Sequence, residues 1–150
     1  ADLVTRKIGR DGGAAMEAVL GELRNTVNEL NASDDARIAI IGKGLGDALA
    51  GMEHSTQTIL QAMADDVAVA LGASFDYMMQ TGYLFGGWQL ARSALVALRR
   101  LSEGSDNPFY EKKIATAVFY AEQILPRCAG HAGAVHTAAG SLHSYPADWL

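Results

Sequence analysis

The chain has 150 residues with 12 basic and 17 acidic side chains, a formal charge of −5; this length suits one domain able to bury its own core, and the acidic balance excludes the basic field that draws a protein onto phosphate backbones. The single cysteine, Cys128, cannot close an internal disulfide, which with five methionines points to a reducing compartment, the cytoplasm. No run approaches the roughly 18 uncharged residues of a membrane span, and the N-terminus lacks the basic-then-apolar order of a signal peptide.

The sequence enters DLVTRKI straight from Ala1, without a methionine, as though partway along something longer. After the punctuation RDGG, Met16, Val19, Leu20, Leu23, Val27 and Leu30 share one face of a first helix, with Glu17 placed to suit its N-terminal dipole. It is expected to end near NAS. Ser33 or Asp34 then caps a second, long helix whose Ile38, Ile41, Leu45, Leu49, Met52, Ile59 and Met63 recur at close to heptad spacing. A break or kink near Asp65 and Asp66 leads to a third helix reaching about Leu101, with Val69, Phe75, Met79, Leu90, Leu95 and Leu98 among its apolar positions.

SEGSD reads as a loop. Asn107 caps a fourth helix with Pro108 in its first turn, where a missing N–H costs nothing, and Ile114, Ala117, Val118, Ala121, Ile124 and Leu125 form its stripe. Past Pro126 the small-residue stretch RCAGHAGAVHTAAGSLH continues as a helix after a kink, and YPADWL is an irregular tail. The expected fold is all-α: a single domain over 1–150, an antiparallel bundle of about four long helices.

Several stretches invite a chemical reading. GKGLG at 42–46 resembles a phosphate cradle, but that loop should follow a strand and end in Lys-Ser or Lys-Thr at a helix start. Within a helix, Gly42 and Gly46 instead allow close approach, and the equally spaced Gly82 and Gly86 are the expected partner face. None of the seven glutamates has a histidine three residues on, which disfavours a carboxylate-bridged metal bundle. His131, His136 and His143 are spaced by five and seven, so no metal site is expected, and His54 reads as a polar-face residue. Arg127 beside Cys128 is not accompanied by a resolving thiol or a base, so the cysteine reads as a small buried side chain. Asp34, Asp35, Asp65 and Asp66 fall at helix boundaries, where capping accounts for them. Arg92, Arg99, Arg100, Lys112 and Lys113 read as a solvated face, and Trp88, Phe109, Tyr110, Phe119 and Tyr120 as core or interface rather than a cofactor platform. Residue chemistry alone therefore nominates no catalytic residue.

GYLFGGWQLARSALVAL followed by NPFYEKKIATAVFYAEQILP resembles the extra C-terminal helical domain of one branch of the acyl-CoA dehydrogenases, that of the long-chain and methylmercaptopropionyl-CoA types. That branch carries a Gly-Trp-x-x-Ala-Arg run, then Phe-Tyr-x-x-Lys-x-x-x-Ala-x-Phe-Tyr and Leu-Pro. Here these are Gly87, Trp88, Ala91, Arg92, Phe109, Tyr110, Lys113, Ala117, Phe119, Tyr120, Leu125 and Pro126. At the start, Asp2, Leu3, Val4, Arg6 and Lys7 resemble the segment just downstream of the branch's active-site loop. The glutamate of that loop removes the α-proton of the acyl thioester while hydride leaves the β-carbon for flavin. The loop is not in these 150 residues.

The resemblance implies the C-terminal structural or interface domain of an FAD-dependent enzyme, inactive alone and with no cofactor expected in the fragment. Its first helix would dock on upstream parts of the same chain, and an exposed apolar face there is expected. Acyl-CoA, an electron acceptor and further copies of the chain are the implied partners; Arg6 and Lys7, close in sequence to where that loop would be, are candidate rim contacts to flavin, CoA or a neighbouring subunit, with structural pairing to carboxylates as the preferred reading. The alternative is a stand-alone helical interaction module without enzymatic activity.

Overall fold

The computed structural model describes residues 1–144, so the irregular tail expected over 145–150 lies outside the described residues. A π-helical turn, Leu3–Ile8, and a 3-10 turn, Gly9–Asp11, precede six α-helices: α1 (Ala14–Asn31), α2 (Ala36–Asp65), α3 (Val67–Gly72), α4 (Ser74–Ser102), α5 (Pro108–Gln123) and α6 (Arg127–His143). Among the described residues there is no strand, and no helix is long and apolar enough to cross a membrane.

The helix ends follow from local chemistry. Asn107 accepts from the Phe109 N–H at 3.0 Å, and Pro108 opens α5 as its composition requires. At the end of α4, Gly104 takes φ +90°, and the Ser105 and Gly104 N–H groups donate to the Arg100 and Leu101 carbonyls at 3.1 and 3.0 Å. This double closure needs a left-handed residue, which glycine adopts without a Cβ penalty. The cap of α2 lies one residue beyond the expected pair: Asp35, in extended backbone, accepts from the Arg37 N–H at 2.8 Å. Ser33 serves the turn before it, its Oγ accepting from the Asp35 N–H at 3.2 Å. Asp66 breaks the chain after α2 and caps α3 through the Ala68 N–H at 3.0 Å.

The helices combine into four rods. The contacts of Leu30 with Gly42 and Leu60 with Gly13 set α1 antiparallel to α2. Thr56 to Tyr77 and Met52 to Thr81 set α2 antiparallel to α4. α3 and α4 are almost one rod, since backbone bonds run through Ala73 from both sides. α5 and α6 form another, kinked at Pro126, that lies parallel to α2: Arg37 meets Glu111, Gly44 meets Ala121, and His54 meets His136. The expected four-rod antiparallel bundle is therefore present, with α2 at its centre touching α1, α4, α5 and α6.

The structure selects among the apolar positions of α4 and does not bear out the expected glycine contact. In α4 the interior receives Tyr77, Leu84, Trp88, Ala91, Ala94 and Ala97, whereas Phe75 points outward at 61% exposure and Leu90, Leu95 and Leu98 lie on the flanks. Alanines occupy the interior because α5 packs closely along this stretch, and only a methyl fits between close axes. The glycine pairs do not face one another. Gly42 and Gly46 abut Leu30 and Val27 of α1, Gly86 abuts Tyr120 of α5, and a Cβ on Gly82 would meet nothing within 4 Å. Four-residue spacing places two glycines on one face but does not choose the neighbour that face meets.

Candidate functional site

The N-terminal turn carries the two residues nominated as rim contacts. Val4 and Ile8 are buried and anchor it against α2, α3 and α4, which leaves Thr5, Arg6, Lys7 and Arg10 on a basic outer edge. Arg6 is paired to Asp2 one turn earlier. Lys7 and Arg10 have no carboxylate within ion-pair distance among the described residues. The turn closes on Gly12 and Gly13, both left-handed, while Asp11 accepts from the Gly13 and Ala15 N–H groups at 3.1 and 2.9 Å and so directs the chain into α1.

A groove of about 500 Å³ runs between α2 and the α5–α6 rod, walled by small residues such as Gly44, Gly51, Ala121, Ala132 and Gly133. Cys128 lines it with its thiol 3.8 Å from the Gln80 carbonyl, and burial pushes the thiol pKa up to about 11. At neutral pH it is a protonated thiol rather than a nucleophile. At the rim, the His54 and His136 rings lie 4.0 Å apart, and His136 Nδ1 is 3.1 Å from the Thr58 hydroxyl. Burial, and secondarily His54, lowers the His136 pKa, which favours the neutral ring.

The remaining histidines go to separate partners. His131 is half-buried rather than turned to solvent, bonded to Asp76 at 2.8 Å and stacked on Tyr83, while His143 lies 3.3 Å from Asp66. Among the described residues no three His, Cys, Asp or Glu side chains converge on one point. The cationic group on α4 and α5 is also dispersed: Arg92 lies over Trp88, Lys113 over Phe109, and Arg100 pairs with Glu103.

Sequence reasoning missed two structural contacts. The Tyr77 hydroxyl bonds Thr56 at 2.8 Å inside the bundle, and burial raises the phenol to about 12. Arg37 joins Asp35 to Glu111 and so ties the start of α2 to the start of α5. The carboxylate at the second cap and the glutamate in the first turn after Pro108 were visible. Their juxtaposition, across 74 residues, was not.

Among the described residues, then, most polar groups serve capping and helix pairing; the Thr58 hydroxyl beside His136 also lies 3.1 Å from the His54 carbonyl, and the buried side-chain polar atoms of Ser55 and Gln80 have no hydrogen-bond partner. The first helix also lacks the apolar outer face expected of it: the exposed large apolar side chains are on α2, α3, α4, α5 and α6, and none is on α1. Its apolar stripe is consumed against α2, and its outward positions carry residues such as Glu22, Asn25 and Glu29.

The family described as acetyl-CoA dehydrogenase C-terminal like matches residues 19–146. A 3-methylmercaptopropionyl-CoA dehydrogenase of Ruegeria pomeroyi is 33% identical over 141 residues, covering 94% of this chain and 24% of the relative. The broad-specificity linear acyl-CoA dehydrogenase FadE5 of Mycobacterium tuberculosis is 35% identical over 136 residues, covering 83% of this chain and 22% of the relative. The chain thus spans about a quarter of the length of the curated relatives it matches.

Proposed function

The chain belongs to the acetyl-CoA dehydrogenase C-terminal like family, and from that premise we propose that it is a C-terminal domain of an FAD-dependent polypeptide that oxidises an acyl-CoA thioester to the enoyl-CoA. In that reaction a base takes the α-proton and hydride leaves the β-carbon for the flavin. The observation that carries the reading is the match over nearly the whole chain to a quarter of each dehydrogenase. A stand-alone interaction module is not favoured, since these matches fall on the C-terminal portion of full enzymes.

The flavin is tested against the residues themselves. An isoalloxazine needs a deep cavity and its diphosphate needs converging donors, and the grooves here are walled by small or exposed side chains. Neither of these two grooves supplies those features, and the reading assigns both cofactor and base to an upstream part. For this chain it leaves a structural role, with the Arg6–Lys7 edge available as an anion-attracting rim beside the point where upstream residues would join. Lys7 is the better donor, because Arg6 is already held by Asp2. The same reading makes acyl-CoA and an electron acceptor the partners of the whole enzyme, a homo-oligomer its assembly and the cytoplasm its compartment.

Capture of the native polypeptide with an antibody to this domain tests the reading. A chain several-fold longer than 150 residues, yellow and bleached by acyl-CoA, is expected. A colourless polypeptide of about this length would overturn it.

A further inference from the structure

The outward side of α3 and of the first turns of α4 carries a run of exposed apolar side chains. Val67, Leu71, Phe75 and Met78 follow at steps of four, four and three, one helical stripe carried across Ala73, with exposures from 39% to 61%. Leu142 of α6 laps onto the same edge over Gly72. Asp76 is the only charged residue between Asp66 and Arg92, and it is turned to His131. Asp66 and His143 form a polar margin at one end, and Gly82 prolongs the stripe onto open surface. Single exposed apolar side chains are ordinary, but a contiguous set with no charge among them marks a surface that something covers.

The route of the N-terminus indicates the occupant. The Ala1 nitrogen lies 3.1 Å from Ser74 Oγ, so the chain enters beside the residue preceding Phe75. The turn that follows is fixed there by the buried Val4 and Ile8. Any polypeptide joined ahead of Ala1 emerges at the edge of the apolar stripe, where a short tether holds it at high effective concentration. We infer that the Val67–Leu71–Phe75–Met78 face is the docking surface for the flavin-binding body of the same polypeptide. This rests on the function proposed above, which supplies that body, and it transfers the docking role expected of α1 to α3 and α4.

The test uses the full-length polypeptide with the photo-reactive residue p-benzoylphenylalanine placed at 75, at 78 and, as a solvated control on α1, at 25. Isotopically light and heavy chains are mixed before irradiation. Mass and flavin content are read first, and a flavin-free chain of about 150 residues defeats the functional reading and this inference with it. Given a long flavoprotein, cross-links from 75 and 78 to residues ahead of Ala1 within one chain, several-fold above position 25, are expected. Light-to-heavy cross-links through the same positions would assign the face to a second copy. Yields no higher than at position 25 would make it a solvated surface. Either result overturns the docking inference while leaving the functional reading intact.

Discussion

α1 and the α3–α4 rod are both long amphipathic elements on the outside of α2, yet their outer faces differ in kind. α1 buries Met16, Leu20, Leu23, Val27 and Leu30 and turns polar residues outward, so its apolar surface is fully used inside the bundle. The α3–α4 rod buries Tyr77, Leu84 and Trp88 on one side and still shows Leu71, Phe75 and Met78 on the other. A helix apolar on two sides is built for neighbours on both, and the bundle covers only one of those sides. Aromatic bulk in a sequence therefore does not by itself say which side of a helix is the core side.

The largest expected effect is on the buried side of that rod. Trp88→Ala removes a side chain only 8% exposed, together with the Nε1–H bond it donates to Thr26 at 2.8 Å, and should cost about 3–5 kcal/mol in chemical denaturation. An unchanged midpoint would place Trp88 outside the core and dissolve the contrast between the two sides. Next comes the contact that seats the α5–α6 rod on α2. A Cβ on Gly44 would stand 2.9 Å from the Ala121 carbonyl oxygen, a backbone atom that cannot swing aside, so Gly44→Ala should destabilise by about 1–3 kcal/mol. A stabilised variant would mean that these helices separate freely.

A smaller effect is expected at the Asp35–Arg37–Glu111 tie. The bond from Arg37 holds the Asp35 carboxyl at about 2, below its ordinary 3.8. A depressed carboxylate contributes stability that is complete above the unfolded value, about 4, and is lost as pH falls through the folded value. Asp35→Asn, which keeps a capping oxygen but not the charge, should flatten the acid limb between about pH 4 and about pH 2 and cost at most about 1 kcal/mol at neutrality. Equal acid limbs in both proteins would remove the tie from the stability account. The smallest effect closes the comparison: in the 150-residue chain, Phe75→Ser should move the unfolding free energy by only about 0.5 kcal/mol or less, against the large loss for Trp88→Ala. Similar losses for the two would place Phe75 in the core.

Much of the architecture was legible. The Asn107–Pro108 start, the break at Asp66, the Pro126 kink and the heptad-like run of α2 all rest on chemistry within a few residues of each position, and the structure repeats them. The cap at Asp35 was misplaced by one residue because Ser33, Asp34 and Asp35 are all competent acceptors and only the backbone conformation at 35 selects among them. The family was legible only through the motifs shared with the acyl-CoA dehydrogenases. The histidines, the lone cysteine and the paired aspartates show no motif spacing in the sequence, and apart from the His54–His136 pair the structure distributes them to separate helix contacts.

The sequence by itself determined that this chain is helical, where its rods begin and end, and that it is a C-terminal domain of acyl-CoA dehydrogenase type, since caps, periodicity and family motifs are all local properties. Only the tertiary structure decided the rotation of each rod about its own axis. It turned Gly42 toward α1, packed alanines rather than leucines into the interior of α4, and left Phe75 and Met78 outside beside Ala1. The reason is physical: spacing along a helix says which residues share a face, but the direction of that face is set by all the neighbours that compete to bury against it.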